Sequence, residues 1–97
     1  MKRSRLIVRQ LEAFVLVAEL SSFTETAERI ALTTSAVSAL IGKLELSIGA
    51  QLFERSTRRV SLTEAGRAFL PSARGVLHSL RDAELAAANL SIHPTNG

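Results

Sequence analysis

Four hydroxyl side chains, Thr33, Thr34, Ser35 and Ser38, fall within six residues at the start of a stretch with helical periodicity. Short hydroxyls donate and accept hydrogen bonds and let a backbone come close to another surface. That chemistry suits phosphate oxygens and base edges. Ala39 and Gly42 continue the same side, with Lys43 near its edge. The plainer reading is that the hydroxyls only cap a surface helix. A second group, Arg55, Arg58 and Arg59, surrounds a short turn. Arginines on a hairpin tip can enter a minor groove or clamp phosphates. A solvated basic turn is the alternative, and Arg55 could instead pair with Glu54 or an acid at the core edge. A third group, Lys2, Arg3, Arg5 and Arg9, has no acid within it, and Lys2, Arg3 and Arg5 could add phosphate contacts or merely solubilise.

Nothing comparable supports bond-making chemistry. The 97 residues include no cysteine, so disulfides and thiolate metal sites are excluded. His78 stands beside Ser79 and His93 lies in the tail, with no partner spacing for a metal or a catalytic set. No glycine-rich phosphate loop occurs. The expectation is a chain that is not an enzyme and needs no cofactor or metal. No apolar run reaches the ~18 residues of a membrane span. The basic start resembles a signal peptide only until Arg9, Gln10, Glu12 and Glu19 interrupt it. Net charge is +3, a mild excess whose clustering says more than its size.

The elements that would carry these groups follow from periodicity. Residues 1–8 read as a basic arm and 9–20 as a first helix, with Leu11, Phe14, Val15 and Ala18 on its core face. Ser22, followed three residues later by Glu25, opens a short helix over 23–31, with Phe23, Ala27 and Ile30 inward. Ala27 is small where the next helix must cross. Thr33 or Thr34 caps a third helix over 34–48, whose apolar stripe is Val37, Leu40, Ile41 and Leu44 and whose stop is Gly49. Two short strands are expected near 52–55 and 59–62. Thr63 caps a long helix over 63–91 in which Pro71 should bend the axis, and 92–97 is a tail. The fold class is mainly α: a winged helix-turn-helix over 1–62, with three helices and a two-stranded wing, then a long linker helix.

Phe69, Ala73, Val76, Leu80, Ala83, Ala87 and Leu90 alternate in steps of four and three, a heptad seam. A helix of such length reaches ~40 Å. A core this small covers only its first turns, so the remainder calls for a second helix, most simply from another copy.

Taken in order, LEAFVLVAELSSFTETAERI, TTSAVSALIGKLE, IGAQLFERSTRRVSLTEAG and RAFLPSA resemble the N-terminal DNA-binding domain of bacterial LysR-type transcriptional regulators, over about residues 9–75. LFERSTRRVSLTEAG is the most specific piece, and Pro71 is common in the family. The resemblance implies a winged helix-turn-helix, and a linker helix that dimerises side by side with its partner's. It also implies a C-terminal effector-binding domain of two α/β lobes that this sequence does not contain. The sequence departs from the family at Thr34, where glutamine is usual, and at Ala39, Leu40 and Gly42, where longer polar or basic residues are common. Few side chains on helix 34–48 can make bidentate base contacts, which shifts specificity toward Ser35, Ser38, the wing and DNA shape.

The expected function is sequence-specific binding of double-stranded DNA by a dimeric cytoplasmic transcription regulator. Helix 34–48 would lie in the major groove and wing residues 55–59 at the minor groove or the phosphates. The homodimer would form through 63–91, with a tetramer open to the full-length protein. A small-molecule effector would act only through the missing domain. The competing expectations are an architectural DNA binder without an effector and a protein-interaction module that uses the seam alone.

Overall fold

The computed structural model describes residues 2–55 and 59–92. Four helices follow one another: α1 (Lys2–Leu20), α2 (Phe23–Arg29), α3 (Thr34–Ile48) and α4 (Glu64–Ile92). The expected basic arm at 1–8 is corrected, because helix already begins at Lys2. Lys2–Val8 contains neither proline nor glycine, so nothing in it stops α1 from extending outward.

Local chemistry sets the boundaries between α1, α2 and α3. Ser21 turns into the left-handed region at φ 53° and its N–H still donates to Val17 O, closing α1. Ser22 is extended, and its Oγ accepts from the Glu25 N–H at 2.9 Å. Thr33 does the same for α3, accepting from Ala36 N–H at 3.0 Å. Gly49, at φ 83°, ends α3 in the conformation that glycine adopts without steric cost. The Gly66 N–H donates to Thr63 Oγ1 at 2.9 Å, so Thr63 caps α4 as its sequence position suggests.

The core lies where α1 crosses α3 and α4. Phe14, Val17, Val37, Ile41, Leu52 and Phe53 are almost wholly buried. The chain's four phenylalanines form one cluster. Phe14 stands 5.4 Å from both Phe53 and Phe69, and Phe23 stands 5.9 Å from Phe53. The tilted and edge-on rings join α1, α2, α4 and the segment after α3 without tryptophan or tyrosine. Thr26 is fully buried as well, since its Oγ1 donates to Ser22 O at 2.8 Å.

The two expected strands shrink to one antiparallel bridge, Phe53 with Leu62, backed by Glu54 N–H donating to Ser61 O. Alternation along the sequence marks residues that can be extended. Here only their bases pair among the described residues. The wing tip at 56–58, with Arg58, lies outside those residues.

Gly66 explains how α4 starts so close to this bridge. A Cβ there would sit 2.2 Å from Leu52 O and 2.9 Å from a Leu62 methyl carbon. Backbone would have to move to admit it. Gly66→Ala is therefore expected to lower stability by about 1–3 kcal/mol, read as a lower urea midpoint at unchanged slope. A midpoint equal to the parent's would refute this packing.

Helix α4 continues through Pro71 instead of ending there, at the expense of the hydrogen bond that Arg67 O would accept. The molecule measures 59 × 25 × 24 Å. Every residue from 78 to 90 is exposed.

Candidate nucleic-acid interface

The α2 and α3 axes turn by 103° at the connection Ile30–Thr33. That angle falls in the range of helix-turn-helix pairs. Ala31 holds the turn in a left-handed conformation at φ 58°, and the Leu32 N–H reaches back to Ala27 O at 2.9 Å. Ala27 is buried, so the short side chain lets α3 cross closely.

This crossing fixes the outward face of α3. Val37, Ile41 and Leu44 are buried and Leu40 packs partly against them. Around the rest of the helix, Thr34, Ser35, Ser38, Ala39 and Lys43 are all exposed, as is Thr33 at the cap. The Thr33 hydroxyl oxygen serves the cap, which leaves its proton able to donate outward. No acid occupies the first turn of α3. Its free N–H groups and the positive end of its dipole thus face solvent without competition. Around Gly42 nothing lies within 4 Å of where a Cβ would be, so this part of the helix can approach a surface very closely.

Two residues beside this face were not assigned to it from the sequence. Arg9 of α1 lines a shallow hollow with Ala36, Ala39 and Lys43, bringing a second cation beside α3. Leu46, 84% exposed, follows Gly42 by one turn on the side of Ser35 and Ser38. Arg9 belonged to the basic N-terminal group by sequence, and only the α1–α3 crossing shows its neighbours. Leu46 breaks the apolar periodicity of α3, which is the available signal.

Arg55 differs from the other wing residues. Its guanidinium donates to Glu45 Oε1 and forms an ion pair with that carboxylate, whose side chain is 10% exposed. Glu45 Oε2 also accepts from Leu52 N–H at 2.7 Å and Phe53 N–H at 3.4 Å. One buried carboxylate therefore ties the end of α3 to the base of the wing, with Arg55 as its counter-ion. Of the alternatives open to Arg55, the pairing with an acid at the core edge is realised. Arg59 is exposed at the wing's return segment. The structure thus gathers Thr33, Thr34, Ser35, Ser38, Ala39 and Lys43 on one face and commits Arg55 to support.

Of the seam residues, Phe69 and Ala73 belong to the chain's own core. Val76, Leu80 and Leu90 are 52, 37 and 76% exposed, and Ala83 and Ala87 are exposed too. His78 pairs loosely with Asp82 at 3.6 Å, both in solvent. Among the described residues no group of three or more His, Asp or Glu side chains could hold a metal ion. Among the described residues no single helix is long and apolar enough to cross a membrane.

Fold and exposed helix define a winged helix-turn-helix domain. A sequence model of bacterial regulatory helix-turn-helix proteins of the lysR family matches residues 8–67, and the chain belongs to that family. It is 51% identical over 72 residues to the transcriptional regulator ShiR of Corynebacterium glutamicum, covering 74% of this chain and 24% of that protein. It is 49% identical over 81 residues to an uncharacterised regulator of Azotobacter vinelandii, covering 84% and 56%. The chain thus spans between about a quarter and about half of these relatives. Among solved structures, a BenM DBD complex with catB site 1 DNA superposes with TM-score 0.82 at 31% identity, over 87% of this chain and 93% of that one. Vibrio fischeri DarR in complex with DNA gives 0.83 at 29% identity, over 92% and 30%.

Proposed function

We propose that this chain is the sequence-specific, double-stranded-DNA-binding part of a dimeric transcription regulator that works in the cytoplasm and is not an enzyme. The observation that carries the reading is the outward face of α3: short hydroxyls, Gly42 and Lys43, free of acids, on a helix crossed by α2 at 103°. An α-helix fits the major groove, where base identity is distinct. Hydroxyls and the α3 N-terminus would hold phosphates and reach base edges, while Lys43, Arg9, Arg58 and Arg59 would supply sequence-independent affinity. The related domains solved with DNA support this use of the fold.

Dimerisation through α4 is part of the proposal. Val76, Leu80 and Leu90 lie exposed along one line of a helix whose residues 78–90 are all exposed. Two copies would present two reading helices to two half-sites. A small-molecule effector would act through a further domain such as the longer relatives have room for.

Nuclease footprinting separates the specific regulator from an architectural binder. The expected result is one discrete pair of half-sites. Uniform coverage would contradict the proposal, and absence of binding at low salt would favour an interaction module. In the same assay Arg59→Ala should weaken specific and nonspecific DNA alike, flattening the salt dependence by about one unit of slope. A loss confined to one base-pair position would mean that Arg59 reads sequence.

A further inference from the structure

We propose that Arg67 is a positioning residue for DNA binding: from the first turn of α4 it holds the return leg of the wing and so sets where the wing arginines meet DNA. This rests on the DNA-binding reading above and adds the residue that aims the wing. Among the described residues the base of the wing is one residue pair wide, Phe53 with Leu62. The ladder bonds run on either side of that pair, from Glu54 N–H to Ser61 O at 2.9 Å and from Thr63 N–H to Leu52 O at 3.0 Å. In such a pair the two residues' own N–H and C=O groups point away from the opposite leg. Each outward group has to find a partner elsewhere or be left to water.

Two charged side chains from different helices take an outward group on each leg. The Phe53 N–H donates to Glu45 Oε2 at 3.4 Å, near the end of α3. The Leu62 carbonyl accepts from Arg67 Nη1 at 3.1 Å. A carboxylate thus grips the donor edge of the wing base and a guanidinium its acceptor edge, each with the charge that strengthens the bond. The outgoing leg has further anchors. Glu45 also takes Leu52 N–H at 2.7 Å, and Gln51 O accepts from Thr63 Oγ1 at 2.6 Å. The return leg meets α4 differently. Leu62 stands two residues before Glu64, the start of α4, and the chain between them is a joint about which the leg could pivot. Arg67 bonds back across that joint and fixes the angle at which the leg leaves the helix. Arg59 lies three residues farther out, ~10 Å at the rise of an extended chain, so a small change of angle at Leu62 displaces it by ångströms. Arg67 is exposed, and a single solvent-facing hydrogen bond adds little to stability. Its effect is felt at the end of the lever.

The test measures the chain with Arg67→Ala on a duplex carrying its preferred site, selected from random DNA. Affinity should fall about threefold to tenfold, and the salt dependence should flatten by up to about one unit of slope, as if one wing contact were lost. The urea midpoint should move little. Arg67→Lys, which keeps a donor for Leu62 O, should restore binding. A midpoint that falls while affinity and slope stay as in the parent would reduce Arg67 to a structural role and overturn the proposal. A double-mutant cycle decides how Arg67 acts. In a chain already carrying Arg58→Ala and Arg59→Ala, Arg67→Ala should change affinity by about twofold or less, because no wing contact is left to aim. Equal effects in the two backgrounds would mean that Arg67 meets the DNA by its own charge. That result overturns the proposal and leaves DNA binding by the wing intact. A chain with Arg58→Ala and Arg59→Ala that binds like the parent would overturn the wing reading itself, and the proposal with it.

Discussion

Replacing Glu45 with alanine is expected to lower the stability of the domain by about 2–4 kcal/mol, the largest effect of any single substitution considered. The Arg55 side chain is 43% exposed and can turn to water, so the ion pair itself contributes little. The loss falls on Leu52 N–H and Phe53 N–H, which give up their acceptor while remaining buried. Domains of this size have total stabilities of about 5–15 kcal/mol, so the variant should be largely unfolded at modest urea. Arg55→Ala should cost less, because the Arg55 side chain is 43% exposed and the two backbone donors keep their carboxylate. Circular dichroism with urea titration tests both. Equal losses for the two variants would mean that the ion pair, not the backbone anchoring, carries the effect. A negligible loss for Glu45→Ala would remove the anchor from the account.

Placing a charge on the α4 seam should have the second largest effect. Leu80→Asp would set a carboxylate against apolar neighbours in the paired state, while in the single chain the position is 37% exposed. Burying an unpaired carboxylate is costly by several kcal/mol, so dimerisation should weaken by at least a hundredfold. The fold of the body should survive, since Leu80 lies beyond the core. Sedimentation at micromolar concentration is the check. The parent should be a dimer and the variant a monomer. A monomeric parent, or an unchanged mass for the variant, would exclude the seam as the interface. Operator affinity should fall with the dimer, because two half-sites would then be bound independently.

What could be read from the sequence is what local chemistry decides. Ser22, Thr33 and Gly49 act within one turn of their own position, and the helix ends follow from them. The stripe Val37, Ile41 and Leu44 is periodic, so the outward face of α3 followed by subtraction. Glu45 interrupts that stripe as a buried acid, and its partners lie seven to ten residues away across a turn, which no periodicity reveals. Leu46, beside it, is exposed because Glu45 takes the inward position. The N-terminal residues misled for the opposite reason. A run of Lys and Arg suggests a solvated arm, yet helix needs only the absence of a breaker and a packed continuation downstream. The wing shows a third limit. Alternation at Arg59–Leu62 predicts an extended chain, but pairing depends on the opposing segment, and here it is confined to Phe53 and Leu62 among the described residues.

The central claim is that α3 reads DNA, and one measurement bears on it most directly. Preferred sites are selected from random double-stranded DNA with the parent chain and with Ser38→Arg, while thermal unfolding is followed in parallel. Ser38 is exposed, so the unfolding temperature should stay the same. Arginine adds a bidentate donor suited to guanine, or else a bulk that collides with the groove wall. The account predicts a changed preferred site with unchanged folding. An identical preferred site for the two chains would contradict it, because α3 would then not be the element in contact with the bases.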